Sequence, residues 1–325
     1  MIFSKYRIAL SLIVILIVSS CDWLIYDSYE NCPRGVYIHL YEQTECDRAP
    51  SYPEEISRVT FFVFDADDDV LLLTQQEDNI KLTAELNTLV HLKKAGNYKV
   101  VAWAHSSDAD LYDLEALAVG ITTPDDLYLT LKKNVDLTGE RLYAGQTGVV
   151  TVGEMEDLFV DERLNLREYT NRIKVTVIGF KQPDNYKLGL VAGNHKYSYN
   201  GKMVPSDPTY VYPITTFYTE SAMMSEMTIL QIDGHYHAVI SIKDAHNGVK
   251  VPFDEGILGN SDEFNLLGAI LLAKGTGAYS FLNPRCINDF DIEIEAHACD
   301  CPGGYVVTGL IINNWAVHSY NADGL

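Results

Sequence analysis

Basic residues are scarce in this chain. Its 325 residues carry 24 Lys and Arg against 45 Asp and Glu, a formal net charge of −21. Nucleic-acid phosphates would be repelled by such a surface. An anionic lipid surface, gripped through clusters of Lys and Arg, would be repelled as well. The usual catalytic signatures are absent too: there is no GxSxG, no HExxH and no phosphate-binding glycine loop. KGTGAYS reads as a turn between strands. Cysteine is sparse at six residues, and no Cys and His stand at zinc-finger spacing. Beyond the N-terminus no apolar run approaches the roughly 20 residues that cross a bilayer, and LLGAILLA (266–273) is far short. These absences predict a protein without a cofactor, a metal or an enzymatic role.

What is present starts at the N-terminus with IALSLIVILIV (8–18), preceded by Lys5 and Arg7 and followed by SSCDW. A short positive segment and an apolar stretch of this length have the anatomy of a signal peptide. Cys21 then has three competing fates: half of a disulfide, a reactive thiol, or a thiol consumed by chemistry. Val18, Ser19 and Ser20 before it match the bacterial lipobox, in which the cysteine is diacylated and the preceding residues are cut away. A plain secretory signal with a coincidental cysteine is the alternative, and Asp22 directly after the site fits an ordinary peptidase less well. Each buried CH2 contributes about 0.8 kcal/mol, so one acyl chain binds marginally while two or three hold firmly. The expectation is a signal peptide over 1–20, a linker over 21–31, and a mature chain tethered to a membrane by Cys21 without crossing it.

Five cysteines remain: Cys32, Cys46, Cys286, Cys299 and Cys301. An exported protein meets oxidising conditions, so disulfides are expected. Cys32 with Cys46 would close a short N-terminal loop, and Cys286 could join Cys299 or Cys301. The odd count leaves at least one thiol unpaired or joined to another chain. The CxC pair alone does not establish a metal or redox site.

Most of the chain alternates with the period of strands. GVYIHLY places Val36, Ile38 and Leu40 on one face. SRVTFFVFDADDDVLLLT reads as two strands joined at the acidic cluster 65–69, and AGNYKVVAWAH as another strand entered through Gly96 and Asn97. Leu111, Leu114, Leu117 and Ala118 have helical spacing, which predicts a short helix. ERLYAGQTGVVTVGE reads as strand, glycine turn, strand. A second set opens with NRIKVTVIGF and continues through HAVISIK, FDIEIEAH and GYVVTGLIINNWAV. Between them, 181–213 is rich in Gly, Asn, Pro and Tyr and reads as long loops, while FNLLGAILL is too apolar for its period to decide. Many short strands divided by turns predict an all-β protein of two sandwich modules, 32–164 and 165–325.

Three clusters invite a chemical reading. FDIEIEAH sets Asp289, Asp291, Glu293, Glu295 and His297 on one strand face. Neighbours along such a face lie about 7 Å apart, whereas calcium ligands converge at roughly 2.4 Å, so a solvated face is expected. The cluster 65–69 lacks the glycine and closing glutamate of an EF-hand and reads as a hairpin tip. His235 and His237 share a face but lack a third ligand at a suitable distance. A hydrolase would need a convergent carboxylate pair, and none can be named.

Several of these pieces line up in order: the lipobox cysteine, CPRGVYIHLYEQ, ISRVTFFVFDADDDVLL, AGNYKVVAWAH, LYAGQTGVVTV, LREYTNRIKVTVIG and IINNWAV. In that order the chain resembles the anchor subunits of Bacteroidia-type (type V) fimbriae, lipoproteins related to fimbrillins, over roughly 32–317. The resemblance implies two transthyretin-like β-sandwich domains and a non-enzymatic role at the outer membrane, holding the fibre base and limiting fibre length. It implies a fimbrial stalk subunit as partner, joined by strand complementation, in which main-chain hydrogen bonds give affinity. Fibre subunits of this kind lose their first strand to an Arg- or Lys-directed protease, whereas an anchor keeps it, because a cut there would sever the lipid. Arg34, Arg48 and Arg58 are the arginines where such a cut would fall. Cleavage at Arg48 would make the chain a tip or stalk subunit instead. The tail after Trp315 is short for a donor strand, which favours a terminal subunit. The rival from another class is a surface glycan-binding lipoprotein, with Trp103 or Trp315 stacking sugars.

Overall fold

The computed structural model of the protein describes residues 32–317, apart from 107–110, 115, 194, 203, 205–209, 233–237, 259–260, 275–281 and 302. Cys21, the pair His235 and His237, and the glycines of KGTGAYS therefore lie outside the described residues.

The N-terminal half is organised by β2 (Arg58–Asp65). Successive strand side chains point to opposite faces, so a strand apolar at nearly every position must lie between two packing layers. Val59, Phe61 and Val63 enter one core, and Phe62 and Phe64 enter another. β2 sits between β3 (Leu71–Asp78) and β5 (Gly96–His105), and beyond β5 come β8 (Leu142–Gln146) and β11 (Arg167–Glu168). A short β9 (Val150–Val152) also pairs with β5. The acidic cluster 65–69 is the turn between β2 and β3, as expected, with Asp69 at φ 58°.

Against one face of this sheet lies a smaller one, in which β1 (Arg34–Tyr41) is flanked by β4 (Thr88–Leu92) and β10 (Phe159–Asn165). Val36, Ile38 and Leu40 face inward with Val90, Leu92 and Leu164, against Val59, Phe61 and Val63. The alternation of GVYIHLY therefore reads correctly.

The other face is covered by a sheet that the sequence does not announce. It consists of β6 (Tyr112–Leu114), β7 (Tyr128–Leu131) and β14 (Lys196–Ser198). Two expectations are corrected here. Residues 112–114 form a strand paired to β7 and not a helix, because β7 offers a ladder that a three-residue stretch cannot match locally. The stretch 181–213 is not only loops, for it contains β13 (Tyr186–Ala192), β14 and β15 (Tyr210–Val211). Leu129, Leu131 and Tyr197 bury against Phe62 and Trp103.

The C-terminal half pairs a large sheet with a small one. β12 (Thr170–Ile178) runs parallel to β21 (Asp289–Ala298) and antiparallel to β17 (Ala222–Leu230). Beyond β17 lies β16 (Thr215–Tyr218); beyond β21 lie β22 (Tyr305–Ile312), β23 (Trp315–Val317) and β20 (Ala273–Lys274). The small sheet joins β15 and β13 to β18 (Ala238–Asp244) and β19 (Phe264–Asn265). Ile173, Val175, Val177, Ile292 and Ile294 share one core with Leu190, Ile240 and Ile242. A short helix, α1 (Glu255–Leu258), precedes β19. The undecided FNLLGAILL becomes α2 (Leu266–Leu272), with the Asn265 side chain accepting from the Gly268 amide at its start. Among the described residues the fold is all-β apart from such short helices, and no helix is long and apolar enough to cross a membrane.

Candidate functional site

The expected function turns on whether the first strand is an integral part of the fold. β1 lies in register with β10 from Gly35 to Tyr41 and with β4 from Arg34 to Ile38. Val36 and Ile38 are 0% exposed. Burying each such side chain contributes about 1.5–3 kcal/mol, so β1 is a core strand and not a loose extension. At Gly35 the backbones of β1 and β4 come so close that a Cβ would sit 2.4 Å from the Val90 carbonyl oxygen.

The three candidate arginines differ in environment. Arg34 is 3% exposed at the head of β1. Arg58 is ion-paired to Asp78 at 2.5 Å on β2. Arg48 is exposed in the loop after β1. That loop is pinned at its base, where the Glu42 and Ser51 backbones exchange hydrogen bonds of 2.9 and 2.8 Å. Gln43 and Asn165 exchange two more, both 2.9 Å.

The cysteines pair differently from expectation. Cys46 is joined to Cys286, 240 residues later, with Cα atoms 5.9 Å apart. Cys299 is joined to Cys301, and Cys32 is free and buried. A Cys32–Cys46 bridge fails because the eight residues of β1 lie between them, about 26 Å of strand, whereas disulfide Cα atoms lie within about 7 Å. Cys286 faces the loop after β1, where the Asn283 amide approaches Glu45 Oε1 at 3.2 Å and Cys286 Sγ at 3.2 Å.

Behind the bridge lies a charged junction that sequence reading missed, since its members are scattered along the chain. Glu168 is 6% exposed and bonded to the Arg172 guanidinium, the Thr170 hydroxyl (2.6 Å) and the Asn288 amide (3.1 Å). Arg141 and the Tyr143 hydroxyl both reach Glu55, the latter at 2.7 Å. Burial works to raise the Glu55 carboxyl, but the Tyr143 hydroxyl and the Arg141 charge hold it below the usual range. Glu42 goes the other way, pushed up to about 7 first by burial and then by the nearby charge of Glu168. Glu168 with Arg172 and Glu55 with Arg141 are engaged in pairing, which suits a structural joint.

Three of the chemical candidates, the β21 carboxylates, the cluster 65–69 and Trp103, lie among the described residues in structural places. Along β21, Asp289, Asp291, Glu293 and Glu295 alternate outward from Phe290, Ile292 and Ile294. Among the described residues no three His, Cys, Asp or Glu are placed to hold a metal. Trp103 is 5% exposed and packs edge-on to Phe62 with ring centroids 5.3 Å apart, so it cannot stack a sugar. A groove of about 410 Å3 beside β1 contains His39, Tyr41, Asp161 and Arg163. Its polar groups are taken up internally: His39 pairs with Asp161 at 2.9 Å, and Arg163 lies 4.6 Å from the centre of the Tyr41 ring.

Comparison with known proteins agrees with this picture. The minor fimbrium anchoring subunit Mfa2 of Porphyromonas gingivalis is 34% identical over 314 residues, covering 94% of this chain and 92% of that protein. The solved structure of the Porphyromonas gingivalis fimbrial anchor protein Mfa2 superposes with a TM-score of 0.76 at 33% identity, covering 89% of this chain and all of that one. A solved Bacteroides ovatus protein, 17% identical, shares the fold with a TM-score of 0.69 over 90% of this chain and 96% of its own. The family of fimbrillin-A associated anchor proteins Mfa1 and Mfa2 matches residues 29–321, and the chain belongs to it.

Proposed function

We propose that this protein is a non-enzymatic fimbrial anchor subunit, held at the outer membrane by lipid on Cys21, which attaches the base of a fibre and limits its length. The observation that carries the reading is the likeness to an anchoring subunit over nearly the whole of both chains, joined to a first strand seated in the core. In mechanical terms an anchor needs a firm hold on lipid at one end and a rigid body at the other. Two or three acyl chains supply the first. The modules 32–164 and 165–325, taken as transthyretin-like sandwiches, supply the second. A stalk subunit would join by adding a strand to an open sheet edge.

A tip or stalk role requires loss of the segment up to Arg48, and the likeness to an anchoring subunit over nearly the whole of both chains argues against that role. The experiment is intact-mass and N-terminal analysis of protein extracted from membranes, together with a Cys21→Ala variant. An acylated Cys21 at the N-terminus, and fibres shed from cells carrying the variant, are the expected results. A mature protein that begins at Ala49 and, unreduced, no longer carries the residues before it would overturn the reading.

A further inference from the structure

The geometry points to the Cys46–Cys286 disulfide as a covalent shortcut, through which the lipid-proximal strand is fastened to the C-terminal sheet independently of everything between. The inference rests on the anchor reading for the source of tension alone.

The layout is specific. β1 ends at Tyr41, and five residues later Cys46 is bonded to Cys286. Three residues beyond Cys286, β21 begins at Asp289 and runs in register beside β12 at the centre of the large C-terminal sheet. Pull on residue 32 therefore passes along β1 to Cys46, through the bridge to Cys286, and into β21. Residues 47–285 hang as a closed loop on this path and are not in series with it. The β2, β3, β5, β8 sheet and β10 all lie within that loop.

Arg48 sits inside the loop as well, two residues past the bridge, and it is the exposed one among the three candidate arginines. Hydrolysis of the Arg48–Ala49 amide adds one water and yields an Arg48 carboxylate and an Ala49 ammonium. It breaks the chain but not the molecule, because residues 32–48 remain bonded to the body through sulfur. Detaching them takes a second reaction, in which a dithiol gives two electrons and two protons to the disulfide and is itself oxidised. A cut that would strip the first strand from an unbridged subunit is thus without effect here while the bridge is oxidised.

Two measurements on the full-length chain test this. The first is treatment with an arginine-specific protease, followed by denaturing mass analysis with and without dithiothreitol. The expected unreduced product keeps its N-terminal segment and gains one water, and the segment leaves on reduction. A variant with a sequence-specific protease site in place of residues 47–50 gives the same readout if the native loop resists. Loss of the segment from the unreduced, denatured protein overturns the proposal.

The second is single-molecule extension between handles at residue 32 and the C-terminus. A closure spanning 240 residues withholds roughly 800 Å of contour at about 3.3–3.6 Å per residue. That length should appear when dithiothreitol is added to the wild type, and from the outset in Cys46→Ser/Cys286→Ser. The Cys299–Cys301 pair encloses one residue and adds no measurable length. Equal contour lengths with and without reductant overturn the proposal. Both readouts are made on purified protein, so retention of fibres by Cys21→Ala cells would strike the anchor reading and leave this one standing.

Discussion

Arg172 on β12 grips Asp289 on the adjoining parallel strand with two hydrogen bonds, Nε to Oδ1 at 2.6 Å and Nη2 to Oδ2 at 2.9 Å. Its remaining arm meets Glu168, whose side chain is 3% exposed. The two contacts differ in weight. Asp289 is 74% exposed on its side chain, and such pairs contribute about 0–1 kcal/mol. Glu168 without its partner would be a buried carboxylate beside Glu42, which is far costlier.

Arg172→Met should therefore destabilise the protein by about 3 kcal/mol, most of it from the stranded Glu168. Adding Glu168→Gln to that variant should recover most of the loss. Urea unfolding of the two variants measures it, and a double variant no more stable than the single one would refute the assignment.

Glu42 gives a pH signature. Its carboxyl is raised from 4.5 to about 7 by burial and by Glu168, Glu55 and Asp47, with the Ser51 hydroxyl opposing. A carboxyl that is harder to ionise in the fold leaves stability intact below about pH 4.5 and lowers it as pH rises through about 7. Glu42→Gln removes that loss. It should match the wild type near pH 4 and exceed it at pH 8 by about 1–2 kcal/mol, a figure reduced because part of the side chain meets solvent. Denaturation at the two pH values decides it, and an equal difference at both would refute the cause.

The bridge also closes a very long loop in the unfolded chain. Chain-entropy estimates put the removal of such a link at about 2–5 kcal/mol. Thermal unfolding of Cys46→Ser/Cys286→Ser should show a drop of that size, while Cys299→Ser/Cys301→Ser should change little. A reversed ranking would show that the long bridge does not constrain the chain.

Seating of β1 is open to a direct probe. Ile38→Ala leaves a void against Val59 and Phe61 and should cost about 2–5 kcal/mol. Gly35→Ala drives a Cβ toward the Val90 carbonyl and should loosen the β1–β4 contact specifically. Amide exchange read separately for β1 and β21 checks this: protection falling in β1 alone is the expected result, and unchanged protection would refute it.

How much of this was legible in the sequence depended on how local the cause is. FDIEIEAH is legible as a strand with a wet outer face, since its alternation has the two-residue period. VTFFVF is legible as a strand because the acidic turn at 65–69 bounds it, while its burial on both faces shows only in the structure. The apolar spacing at 111–118 misled because three leucines and an alanine fit a helix until β7 supplies a ladder. β14 was hidden for a related reason, as KYS has no signature of its own and is a strand only because Leu129 lies opposite Tyr197. The junction at Glu168 draws its members from positions 42, 55, 141, 143, 172 and 288, and no spacing rule links those. The pairing of Cys46 was equally out of reach, for nearness in sequence pointed to Cys32 while an intervening strand forbade it.

The three-strand sheet that borrows β14 carries a practical consequence for anyone dividing the gene. A fragment ending near residue 164 would bare the β7 edge and lose Tyr197 from opposite Leu129, an invitation to pair with other copies. Expressing the halves apart should yield sticky, poorly soluble material, and a soluble N-terminal fragment would have to bring a surrogate for Lys196–Ser198 along with it.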